Sequence, residues 1–280
     1  MPEETTTEFQ KEVREGQRFE FGKNWQQFLR ELTEERIQAA AASLKSNLEV
    51  ETLRGLTFLD VGCGSGLFSL AAHRLGALVH SLDYDPHSVA CALELRRRYG
   101  SEDLPWTIEQ GSALDSEYLR SLGTFDVVYS WGVLHHTGSM WAALENMVPL
   151  VAPRGKLYIA IYNDQGTASR RWLAAKKLYN EKTWLRPLLS GLCLVYVWWR
   201  PLVKDVLRGR PGHSWRDYRR RRGMSPWRDV VDWIGGYPFE VAKPEEIFQF
   251  YRGRGFVLEK LTTCGGSLGC NEYVFRLGDS

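Results

Sequence analysis

Directly after an apolar run and directly before a helical pattern, the chain reads Asp60-Val-Gly62-Cys63-Gly64-Ser-Gly66, with glycines at alternate positions. Glycines in such a turn let a ligand lie against the main chain. A dinucleotide loop spaces its glycines G-x-G-x-x-G so that a pyrophosphate rests on the helix N-terminus. Here the third glycine comes one residue earlier and an acid precedes the first. The carboxylate of Asp60 repels a pyrophosphate and suits a ligand carrying an ammonium group. Asp83 follows Gly66 by seventeen residues, at the end of the next apolar run, where an acid can take both hydroxyls of a ribose. Asp85 stands directly before Pro86 and is read as a helix N-cap with proline at the first helical position. Tyr84 is placed to pack on an adenine, and the turn Gly111-Ser112-Ala113 to meet its edge. For proton transfer the candidates are His135 and His136, just beyond a fourth apolar run, and Asp164, just beyond a fifth. Each has a competing structural use: a histidine can pack the loop, and Asp164 can cap the following helix.

These groups need elements to hold them. The segments TFLDVG, LVHSLD, WTIEQG, FDVVYS and KLYIAIY alternate with helical patterns, which predicts parallel strands with crossover helices. Runs apolar on both faces, such as 158–162, must be covered from both sides, as in a doubly wound sheet. A helix over PEEIFQFY then leads to FVLEKLTTC and NEYVFRL, joined by too few residues for a crossover, so this pair is antiparallel. The expected fold is an α/β doubly wound, seven-stranded, mostly parallel sheet whose last strand is antiparallel. The expected organisation is an N-terminal helical segment or lid (1–52), a Rossmann-like core (53–162), a helical basic and aromatic insertion over the strand ends (163–243), and a closing helix and strand pair (244–280).

With 280 residues, 44% hydrophobic and 25% charged, the chain is an ordinary globular protein, and disordered, collagenous and coiled-coil classes are excluded. A net charge of +2 gives the whole molecule no bias toward nucleic acid. Five cysteines without a C-x-x-C pair, and a start, MPEETTTEF, that lacks the basic and apolar regions of a leader, read as free thiols in a reducing cytoplasm. The six histidines and the cysteines show no metal-ligand spacing, so no metal is expected.

With DVGCGSG, LDYD, QGSALD, FDVVYSWGVLHH and the closing strand pair in this order, the chain resembles the class I S-adenosylmethionine-dependent methyltransferases, nearest to the ubiquinone-type and other small-molecule O-methyltransferases. The resemblance is strong over 53–162, weaker from 244 onward, and absent over 163–239. It implies S-adenosylmethionine as cofactor and S-adenosylhomocysteine as product. It also implies Asp60, Gly62, Cys63, Gly64 and Gly66 around the methionine moiety, Asp83 on the ribose, Tyr84, Ser112 and Ala113 near the adenine, and Ser130 and Trp131 as a floor. The expected reaction is methylation of an oxygen, ahead of nitrogen, carbon or sulfur, on a small molecule such as a sugar, a quinol or a lipid- or nucleotide-linked intermediate.

Two rival classes follow from other features. Arg219 to Arg222, beside Trp215, Tyr218 and Trp227, suits an RNA methyltransferase, although SWGV replaces the N-P-P-Y-like residues of base-amino methylases, and nucleic acid is disfavoured. A nicotinamide oxidoreductase is opposed by the glycine spacing and by Asp60. The apolar run 188–199 is shorter than the roughly twenty residues a bilayer requires. It reads first as a packed lid helix and second as a peripheral membrane contact, given the basic residues after it. Phe19, Phe21 and Trp25, with Lys23 and Asn24, are expected to close the other side of the crevice.

Overall fold

A computed structural model describes residues 2–22, 29, 32–222, 226–266 and 268–278. Its centre is a seven-stranded sheet in the order β3-β2-β1-β4-β5-β7-β6. The strands are β1 (Thr57–Val61), β2 (Leu78–Asp83), β3 (Trp106–Gln110), β4 (Phe125–Trp131), β5 (Val151–Tyr162), β6 (Phe256–Thr262) and β7 (Cys270–Leu277). The first five pair in parallel, while β7 lies antiparallel between β5 and β6, as the short connection requires.

Successive strand residues point to opposite faces, and two cores result. Phe58, Val79, Val127 and Tyr129 pack on one face against α2 (Glu34–Leu48), α3 (Leu67–Arg74) and α4 (Pro86–Tyr99). Leu59, Leu82, Val128 and Ile159 pack on the other against α5 (Ser116–Ser121), α6 (Met140–Met147) and α11 (Pro244–Arg252). The strand order reverses between β1 and β4, which opens a crevice at the carboxyl ends of those strands.

Two segments lie outside this layered core. At the N-terminus, α1 (Pro2–Arg14) leads into a strap that crosses the strand ends. Between β5 and α11, helices α7 (Thr167–Glu181), α8 (Arg186–Leu207), α9 (His213–Arg222) and α10 (Pro226–Gly235) build a separate small core from Tyr179, Cys193, Trp198, Val230 and Ile234. Among the described residues no helix is long and apolar enough to cross a membrane. None of the five cysteines is in a disulfide.

Candidate active site

A cavity of about 460 Å³ lies at the carboxyl ends of β1 to β5, within the size range of small-ligand sites. One half is built from tight turns at consecutive strand ends. The loop after β1 folds back so that Gly62 and Cys63 both donate their N–H groups to the Leu82 carbonyl, at 2.8 and 3.0 Å. Gly62 has φ +79°, and a Cβ there would lie 2.3 Å from Val133 Cγ1, so both the conformation and the close approach require glycine. Asp83 at the end of β2 accepts the Gly64 N–H on Oδ2 and the Asp85 N–H on Oδ1, both at 2.8 Å. It thereby locks the glycine loop to the neighbouring strand and keeps a free lone pair on each oxygen. Asp85 caps α4 by accepting the His87 N–H at 2.9 Å, with Pro86 in the first turn.

Asp60 is buried and accepts the Ser69 hydroxyl at 2.5 Å. Burial pushes the carboxyls of Asp60 and Asp83 up to about 7. No ion pair joins either to a described cation. Two desolvated carboxylates side by side make a site that a bound cation relieves. Burial also drives the Cys63 thiol far up, so it is protonated and no nucleophile.

The cavity brings together Asp60, Gly62, Cys63, Gly64, Asp83, Tyr84, Ser112, Ala113, Trp131 and His136 of the residues expected from sequence. Gly66 stands just behind it as the left-handed N-cap of α3. Three expected members fall elsewhere, each for a local reason. Ser130 and Trp131 are strand neighbours and face opposite ways, so Trp131 meets the cavity while Ser130 is buried, donating its hydroxyl to the Val61 carbonyl at 2.8 Å. His135 and His136 sit on a single 3₁₀ turn, Leu134–His136, whose successive side chains diverge. His135 is therefore wholly buried against the Tyr162 ring, with centroids 4.0 Å apart, and its Nδ1 accepts the Tyr162 N–H at 3.3 Å. Asp164 lies outside the lining, where its Oδ1 accepts the Gly166 N–H at 2.8 Å ahead of α7. It closes a turn onto the N-cap residue Gly166 and gives the helix itself no side-chain cap.

His136 reaches the cavity in a defined protonation state. Its Nδ1 lies 2.6 Å from the Pro238 carbonyl, which can only accept, so Nδ1 carries the proton and Nε2 is the acceptor. Burial pushes this imidazole down to about 3, and it is neutral throughout the physiological range.

The second half of the cavity is assembled from distant parts of the chain. Phe9, Arg18, Phe19 and Phe21 come from the N-terminal segment, Tyr162 from the end of β5, and Asp229 from α10. Arg18 donates to the carbonyls of His136 at 2.9 Å and Thr137 at 3.4 Å, pairs with Glu12 at 2.5 Å, and lies over the Tyr84 ring. The strap is held further by Phe19 N–H on the Tyr237 carbonyl at 2.8 Å and Gly22 N–H on Asp85 Oδ2 at 2.7 Å. Phe21 packs against His136 with centroids 5.1 Å apart. Phe19 and Phe21 thus stand where expected, and Trp25, Lys23 and Asn24 lie outside the described residues. Arg18 and Asp229 carry no sequence signal, since each sits in an ordinary polar helical or loop context.

Residues 59–157 match the family described as "Methyltransferase domain". A ubiquinone biosynthesis O-methyltransferase of Xanthomonas oryzae pv. oryzae is 32% identical over 111 residues, 40% of this chain and 45% of that protein. One of Parvibaculum lavamentivorans is 32% identical over 120 residues, 41% of this chain and 43% of that protein. The chain thus spans less than half the length of the curated relatives it matches. Among solved structures, magnesium protoporphyrin IX methyltransferase (ChlM) from Synechocystis with bound SAH superposes with a TM-score of 0.50 at 16% identity, over 86% of this chain and 81% of that one, a likeness of fold. Over residues 59–157 the chain is thus similar to a methyltransferase domain, and its fold is like that of the solved methyltransferase named above.

Proposed function

We propose that the protein transfers a methyl group from S-adenosylmethionine to a hydroxyl oxygen of a small, largely apolar acceptor, such as a quinol or a lipid-linked intermediate. The observation that carries this reading is that one cavity joins the Asp60–Asp83 glycine turn to an aromatic chamber containing His136. The similarity to ubiquinone biosynthesis O-methyltransferases favours oxygen. The lining of Phe19, Phe21, Trp131 and Tyr162 favours an apolar ring or chain over a sugar.

The cavity fits the cofactor by its own chemistry. The raised carboxyls of Asp60 and Asp83 favour a ligand with positive charge, and the two spare lone pairs of Asp83 suit a diol. Gly62 and Gly64 would hold the methionine end, with Tyr84, Ser112, Ala113 and Leu114 around the adenine. S-adenosylmethionine supplies an electrophilic methyl group on a sulfonium. The protein then has to orient the acceptor oxygen and exclude water. Neutral His136 accepts the hydroxyl hydrogen on Nε2 and aligns the oxygen. As the O–C bond forms and the methyl–sulfur bond breaks the oxygen becomes strongly acidic, and its proton passes to Nε2 even though this imidazole is held near 3. Phe21 and the Pro238 carbonyl fix the ring, and Arg18 holds the backbone beneath it. Residues 2–22 and helices α7 to α10 act as the two sides of an acceptor lid, whereas α2, within the 1–52 segment, belongs to the sheet's core.

Incubation with methyl-labelled S-adenosylmethionine and a panel of quinols, catechols, sugars, thiols and RNA tests this. Label in a phenolic or quinol hydroxyl, lost in His136→Ala, is the expected result. Label confined to RNA, or binding of NADH in place of S-adenosylhomocysteine in calorimetry, overturns it.

A further inference from the structure

Helix α8 exposes an apolar face that no described part of the protein covers. Leu188, Leu192, Val195, Trp199, Leu202, Val203 and Val206 are 58, 60, 65, 50, 43, 49 and 65% exposed. At 100° per residue they fall within an arc of about 100° that contains no charged residue. The side of the helix turned toward the insertion is packed. Cys193 and Trp198 are buried in the small core of the insertion, with the Trp198 ring 4.9 Å from Trp215 and 5.1 Å from Tyr218. Asp205 pins the end of α8 to α9 by accepting the Ser214 N–H and hydroxyl, both at 2.7 Å. The apolar stripe is therefore held outward by packing behind it. Trp184, at the head of the helix, is 76% exposed and extends the same surface chemistry. A contiguous apolar face along a 22-residue helix is far more than scattered surface hydrophobes.

Charge says what covers it. Between 163 and 222 the chain carries fifteen Lys and Arg against four Asp and Glu, a net +11, in a protein whose total is +2. Exposed Lys182, Arg200, Lys204, Arg208 and Arg210 lie along or just beyond the helix. At its C-terminal end a depression of about 310 Å³ is lined by Lys204, Arg208, Arg210 and His213, with Asp205 and Asp217 the only acids. A second copy of this chain would bring another strongly cationic insertion against this one, which repulsion opposes. An anionic lipid surface matches both features, taking the stripe into its acyl boundary and its phosphates against the flanking cations. No described helix is long and apolar enough to cross such a surface.

We propose that α8 docks this protein onto the surface of anionic membranes, through the 188–206 stripe with the Lys204–Arg210 cluster at the headgroups. This holds whichever hydroxyl is methylated. The test is flotation of the full chain with vesicles of phosphatidylcholine alone and of equimolar phosphatidylcholine and phosphatidylglycerol. Co-flotation with the anionic vesicles and a blue shift of tryptophan emission are expected. Leu192→Asp with Val195→Asp should weaken binding about tenfold or more, as should high salt. Both sites are exposed, so the double variant should keep native melting and S-adenosylhomocysteine affinity. Lys204→Glu with Arg208→Glu gives an independent second readout, with binding to anionic vesicles weakened. Native-level flotation of both double variants, or no flotation of the unaltered chain, overturns the proposal. So does a sedimenting dimer that Leu192→Asp with Val195→Asp dissolves without any vesicle binding, or RNA binding in its absence.

Discussion

The two halves of the cavity are built by different means. The half around Asp60, Gly64 and Asp83 consists of turns at the ends of consecutive parallel strands, within a stretch of 24 residues from 60 to 83 plus the turns after β3 and β4. Its groups hold one another through main-chain hydrogen bonds, Gly64 to Asp83 and Gly62 to Leu82. The other half draws Arg18, Phe21, His136, Tyr162 and Asp229 from separate parts of the chain. Its geometry depends on a strap and on an insertion with a core of its own. A cradle held by its own main-chain hydrogen bonds thus sits beside a chamber assembled from distant segments.

The sharpest way to separate the halves is to damage the cradle. Asp83→Ala should lower S-adenosylhomocysteine affinity about a hundredfold, two charge-assisted hydrogen bonds at about 1.5 kcal/mol each. Gly64→Val, placing a branched side chain at φ +53°, should do at least as much. Calorimetry checks both, and near-native affinity in either would mean the turn does not touch the cofactor. In the other half, His136→Ala should leave that affinity nearly intact and lower kcat about a hundredfold with whichever acceptor the labelling panel identifies. His135→Ala should instead cost about 2 kcal/mol of stability in a melt, because that ring is core.

Acidity distinguishes the halves more gently. A carboxyl whose value is raised to about 7 by burial is protonated below it and charged above it. Affinity for the cationic S-adenosylmethionine should therefore rise about tenfold from pH 6 to pH 8 per carboxylate. The ligand-free fold shows the opposite sign: it is most stable where these carboxyls are neutral, and loses stability as pH climbs from the ordinary carboxyl range through 7. Melting curves with and without S-adenosylmethionine across this range read both effects. His136, held near 3, adds nothing there. The smallest effect expected is that of Arg18→Ala, which removes the strap's bonds to the His136 and Thr137 carbonyls and should raise KM for the acceptor about fivefold, the worth of about 1 kcal/mol.

The amino-acid order alone determined the sheet, the antiparallel final pair, the N-cap at Asp85 and the cradle residues, because each rests on interactions between near neighbours in sequence or on repeated strand-helix periodicity. Alternate pointing along β4, however, hides Ser130 behind Trp131, and the 3₁₀ turn sends His135 inward and His136 outward. Those outcomes follow from side-chain direction, which residue type does not encode. Only the tertiary structure decided that Arg18 and Asp229 join the cavity, and that α8 turns Cys193 and Trp198 inward while Leu192 and Val195 face out. An apolar run reads the same whether a neighbouring helix covers one of its faces or both, since burial is a property of the packed neighbours and not of the run itself.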